Sequence, residues 1–96
     1  MLSDHEQEIV RRGLAASSLL GNEAFREVIQ SLTVEAFAVF TETSPAELEK
    51  RENQYNLCQG LKAIEAELLT RVQAKDAIEQ RENEEDIVDY DPSLDN

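Results

Sequence analysis

Between Pro45 and Pro92, the only prolines in the chain, nothing stops a helix. Thr43-Ser44-Pro45-Ala46-Glu47 sets Ser at the N-cap, Pro at the first helical position and Glu at the third. The pattern predicts a helix from Pro45 to about Arg81, with Gly60 its only glycine. At 1.5 Å per residue that helix would be roughly 55 Å long. A compact domain of about 100 residues has a radius of gyration near 13 Å. The helix must therefore bend or project beyond its own domain. Its apolar face is read as Leu57, Cys58, Leu61, Ile64, Leu68, Leu69 and Val72, and Glu65 falls within that arc. If buried, Glu65 needs a partner, with Arg12, Arg26 and Arg51 as candidates.

Two shorter helices precede it. Ser3-Asp4-His5-Glu6 reads as a capping box, with Asp4 and Glu6 suited to the positive end of the helix dipole. This helix spans about 4–20, and Gly21 is placed to end it in a left-handed conformation. Asn22 caps a second helix over 23–41. There Phe25, Val28, Ile29, Leu32, Ala36, Val39 and Phe40 share one face, and Val34 and Phe37 fall on the opposite side. In the first helix Ile9, Gly13, Ala16 and Leu20 share a face, with Val10 and Leu14 on a second strip. Gly13 costs about 1 kcal/mol inside a helix relative to Ala, a cost that a close helix crossing can offset. Helices apolar on two sides are sandwiched, within a domain or between molecules.

The expected fold is all-α: a short N-terminal pair and one long helix, forming an antiparallel helical hairpin or small bundle over 1–80. Residues 81–96 hold seven acids and one Arg and read as an acidic tail, disordered when free or docked on a partner. Its apolar island, Ile87, Val88 and Tyr90 among acids, has the form of a docking peptide.

Charge and composition exclude several functions. The 96 residues carry 21 Asp+Glu against 9 Lys+Arg, a net −12, which argues against direct nucleic-acid binding. No apolar run reaches the 18 residues of a membrane span, and no segment reads as a secretory leader. Cys58 and His5 are each the sole residue of their type, so an internal disulfide, a zinc set and a redox pair are all unexpected. Cys58 reads as a small core hydrophobe. Arg11 and Arg12 read as helix-surface ion pairs with Glu8 or with acids on another helix, the functional alternative being a contact to a partner's acidic surface. No glycine-rich phosphate loop or Ser-His-Asp arrangement is present, and acidic pairs arise by chance among 21 acids. No catalytic residue, metal or cofactor is expected.

Arg12-Gly13, Ala16, Leu19-Leu20, Asn22-Glu23 and Phe25, then Thr43, Pro45, Arg51-Glu52, Tyr55, Gly60-Leu61, Ile64-Glu65 and Leu68 form an ordered set. In that order the chain resembles small, acidic, helical proteins of tailed bacteriophages, often encoded beside virion-structure genes. The resemblance covers residues 8 to about 78. It brings no catalytic residues, and it implies a place in the host cytoplasm during assembly and in the virion. The leading expectation is a non-enzymatic virion or assembly component. It would bind itself, or a phage portal, adaptor, tail or capsid protein, through Val10, Leu14, Val34, Phe37, Ile87, Val88 and Tyr90. The alternative is a small acidic inhibitor of host defence whose carboxylates mimic a phosphate backbone, binding a basic protein with strong salt sensitivity. A third reading, a regulator with a ligand between subunits, has no residue set to designate the pocket.

Overall fold

The computed structural model describes residues 1–89, and these form three helices. They are α1 (Asp4–Leu20), α2 (Glu23–Glu42) and α3 (Leu48–Asp89). The capping box at Ser3 is complete: Ser3 Oγ accepts from the Glu6 amide, and Glu6 Oε1 accepts from the Ser3 amide, both at 3.1 Å. Gly21 does not adopt the expected left-handed conformation; its φ is −83° and its ψ −7°. The break is made one residue later. Asn22 turns extended, with ψ 118°, and its Oδ1 accepts from the Phe25 amide at 2.8 Å. Capping α2 is thus what ends α1, and no positive φ is needed.

The Ser44–Glu47 contact forms, but Ser44 is not the N-cap: the helix starts at Leu48, three residues later than the sequence suggests. Pro45 and Ala46 lie in a turn closed by a bond from the Glu47 amide to the Ser44 carbonyl, an i→i+3 closure. The Glu47 carboxylate accepts from the Ser44 amide at 3.0 Å, and the i→i+4 ladder begins with Arg51 bonding to Glu47.

At its other end α3 runs past Arg81 to Asp89, so 81–89 is helix and not tail. Within that stretch Gln80 donates to Glu84, and Arg81 pairs with its neighbour Glu82 and, one turn on, with Glu85; just before it Lys75 pairs with its neighbour Asp76 and with Glu79. Such i,i+4 pairs support an exposed helix by a few tenths of a kcal/mol each. With 42 residues α3 is about 63 Å long.

α1 and α2 lie end to end along α3, both antiparallel to it, and touch each other only around their junction. Glu6 meets Arg81, Gly13 meets Arg71 and Lys75, Ile29 lies across from Glu65, and Phe40 meets Arg51. The hairpin form of the expectation is therefore the one adopted, with one arm broken at Gly21-Asn22. The long helix projects: the molecule measures 75 × 24 × 21 Å, with a radius of gyration of 21.1 Å.

The seam is built from small residues. A Cβ on Gly13 would collide with the Lys75 Cβ and lie 2.8 Å from the Arg71 carbonyl oxygen. Ala16 and Ala36 are almost fully buried, beside Ile29 and Leu61. The Lys75 stem covers Gly13 while its ammonium reaches Asp76 and Glu79. At the seam's end Arg81 pairs with Glu6 at 2.5 Å. The Arg81 hydrogen bond, then the Ser3 amide, lower the Glu6 pKa from 4.5 to about 2.

Three variants test this packing. Gly13→Ala is expected to lower the urea midpoint despite alanine's better helix propensity, because the backbone of α3 blocks the methyl. Gly60→Ala, with nothing within 4 Å, is expected to raise stability by about 0.5–1 kcal/mol. The Glu6 pKa is depressed on folding, so its contribution is complete above about pH 4.5 and fades as pH falls toward 2. Urea midpoints of the wild type and Glu6→Gln should therefore differ at pH 7 and converge through that acid window.

Candidate functional site

Because α3 faces only one helix at each level, the apolar arcs are incompletely covered. The buried apolar residues among those described are Ala16, Ile29, Ala36 and Leu61. Leu57, Ile64 and Leu69, placed on the core face by their spacing, are exposed, as is Val28 on α2. Cys58, Leu68 and Val72 are half-buried. A two-helix seam can hold one narrow stripe, and these broader arcs spill over both of its edges.

Four of the proposed contact residues can be placed. Val34, 61% exposed, and Phe37, 64% exposed, stand together on one flank of α2. Leu14 is 56% exposed on α1, outside the grooves that Val34 and Phe37 line. Val10 is half-buried, so it only partly belongs to the outer strip it was assigned to. Ile87 and Val88 fall within the last turn of α3, and Tyr90 lies outside the described residues.

Two shallow grooves meet on the Val34 flank. One, of about 430 Å³, runs between α2 and α3, with Phe37 and Phe40 on one wall and Tyr55, Cys58 and Lys62 on the other. The second, of about 400 Å³, runs toward the α1–α2 junction past Phe25, Ile29, Arg26 and Glu65. Thr33 and Val34 belong to both, so the grooves form one trough. Glu65 is exposed at its edge and needs no buried counter-charge. Past the far end of the trough, Arg51 stacks on the Phe40 ring with its guanidinium carbon 4.7 Å from the centroid.

Sequence reasoning missed the α3 wall. Tyr55, Gln59 and Lys62 recur at i, i+4 and i+7, the spacing of a helix face, but the polar residues diluted the apolar signal.

The remaining chemistry-bearing residues are dispersed. His5 is exposed in the first turn of α1, and Cys58 is half-buried in the trough. Among the described residues no group of three or more His, Cys, Asp or Glu is placed to hold a metal ion. A second depression collects Arg11, Arg12 and Arg71, and each is already engaged. Arg11 and Arg12 donate to Glu8 and Arg71 donates to Glu67. The Arg11 hydrogen bonds are the main reason the Glu8 pKa falls to about 2. No helix among the described residues is long and apolar enough to cross a membrane. Comparison with protein-family models, curated proteins and solved structures found no match.

Proposed function

We propose that this chain is a non-enzymatic assembly or virion component of a tailed bacteriophage, working through helix-mediated contact with itself or with a larger phage structural protein. The observation that carries the binding part is the uncovered apolar surface: Leu14, Val34 and Phe37 stand exposed on a rod that buries few apolar side chains of its own. Exposed patches of this kind mark protein contact surfaces. The phage setting comes from the ordered residue set between Arg12 and Leu68. Portal, adaptor, tail and capsid proteins are the partners it brings forward. The mechanism is burial of the apolar flank, with the acid-rich remainder keeping the rod dispersed until it meets its partner.

The trough also argues for apolar docking over charge mimicry. Its walls at Phe37, Phe40 and Tyr55 are aromatic, and several acids of α1 and α3 are already paired within their own helix. An acidic mimic would present free carboxylates in a row.

A tagged pull-down from phage-infected lysate, at low and moderate salt, tests the reading. Recovery of a portal, adaptor, tail or capsid protein that survives moderate salt is expected, together with its loss in Val34→Glu/Phe37→Glu. If that double variant leaves both partner binding and assembly state unchanged, the mechanism is wrong. Recovery instead of a basic host protein that washes off with salt would replace it with the inhibitor reading.

A further inference from the structure

We infer that the groove between α1 and α3 walled by Arg11, Arg12 and Arg71 is a docking site for an acidic segment of a partner protein, one that presents carboxylates beside an apolar side chain. The site lies across the seam from the Val34 trough: at about 100° per residue, Arg71 and Glu65 fall on opposite sides of Leu68. The inference depends neither on that trough nor on the phage setting.

The close crossing builds the site. Gly13 lets α1 approach until the Arg71 carbonyl oxygen would lie 2.8 Å from a Cβ there. Its neighbour Arg12 and the facing Arg71 are thereby brought to one depression of about 410 Å³, together with Arg11. The apolar part of the lining is Ala16, buried, Leu68, half-buried, and Leu19, exposed. A smaller depression of about 150 Å³ shares Arg12 and Arg71 and continues the groove toward Ile9 and Ala74.

Charge sets this groove apart. Its lining carries three arginines and no acid, in a chain of net −12. The depressions lined by Phe25, by Phe37, by Leu48 and by Ile9 reach at most +1 each. Glu8 and Glu67 are the acids that these arginines hold. Three arginines against those two carboxylates still leave +1.

The internal pairs also leave donors unused. Arg12 donates to Glu8 and Arg71 to Glu67 through Nε, each at 3.2 Å. Among the described residues, these are the hydrogen bonds that the two guanidinium groups make, and both side chains are exposed. A guanidinium has five N–H donors, and its Nη edge forms the fork that takes a carboxylate.

The mixed lining selects the ligand class. Leu19 and Leu68 suit an apolar side chain, and the two forks suit carboxylates. A nucleic acid brings a negative charge about every 1.7 Å of duplex and would extend from the groove over the acids around it. A short acidic segment can end where the arginines end. At physiological ionic strength charges beyond about 8 Å are largely screened, so such a segment responds to the local balance and not to the net −12.

Fluorescence anisotropy at physiological ionic strength, with the full chain and a short labelled peptide of Glu and Leu, tests the site. Saturable binding is expected, and loss of it when Gln replaces Glu in the peptide. Arg12→Gln/Arg71→Gln should weaken binding about tenfold or more, as loss of charge-assisted hydrogen bonds does. Arg12→Lys/Arg71→Lys should recover it only in part, because an ammonium lacks the fork. Arg26→Gln, a cation across the seam, should leave it unchanged. Circular dichroism checks that each variant stays helical. If the double glutamine variant does not, Arg11→Gln takes its place, with a several-fold loss expected. No saturable binding, equal binding of the Gln peptide, or an equal loss in Arg26→Gln overturns the site. Tighter binding of single-stranded DNA than of the peptide overturns the ligand class. Self-association of the wild type in sedimentation equilibrium, abolished by the arginine variants, would replace the separate partner with a second copy. Each of these failures leaves the contact at Val34 and Phe37 to its own pull-down.

Discussion

The structure depends on one geometric constraint: no level of α3 has more than one helix opposite it. α1 covers its C-terminal half and α2 its N-terminal half, because the break at Asn22 lets the first arm continue in the same direction. A layer two helices thick has one seam and two open flanks. A single seam buries a narrow stripe, and an arc wider than that stripe stays wet on at least one side. The exposed Val34 and Phe37 follow from this, and so do the exposed Leu57, Ile64 and Leu69 on α3.

The seam compensates by being close. Gly13 lets the backbones of α1 and α3 approach until a single methyl would not fit, and Ala16 and Ala36 extend that approach along the rod. Small residues trade buried volume for short interhelical distance, so large apolar side chains are displaced outward. Ion pairs then hold what apolar burial does not. The Glu6–Arg81 contact joins the first turn of α1 to the far part of α3, and the same arginine meets Glu82 and Glu85. That cation, together with Gln80, engages acids in a segment that reads as a repelling acidic tail but continues as helix.

Much of this was legible locally. The caps at Ser3 and Asn22 name their partners within three residues, and both form, whereas Ser44 meets the Glu47 carboxylate as expected but stands ahead of the helix and does not cap it. The outward pair Val34 and Phe37 was readable from helical periodicity alone, because it stands off the stripe of Ile29 and Ala36. Gly21 misled, since a glycine after a helix permits a left-handed turn without requiring one. The start of α3 slipped because Pro45 sets its own φ and not the hydrogen-bond register that follows. The α3 wall of the trough, Tyr55 to Lys62, was hidden because its residues gain meaning only from standing beside Phe37 and Phe40.

The sequence by itself determined the helices, their breaks and their two-sided character, because caps and periodicity act within a few residues. It also required that a helix so long must bend or project. Only the tertiary structure decided which apolar strip lies in the seam and which stays in water. That choice turns on how closely two backbones approach at Gly13 and Ala36, and on α1 and α2 lying end to end and not side by side. These are relations between residues far apart in the chain, which local spacing does not encode.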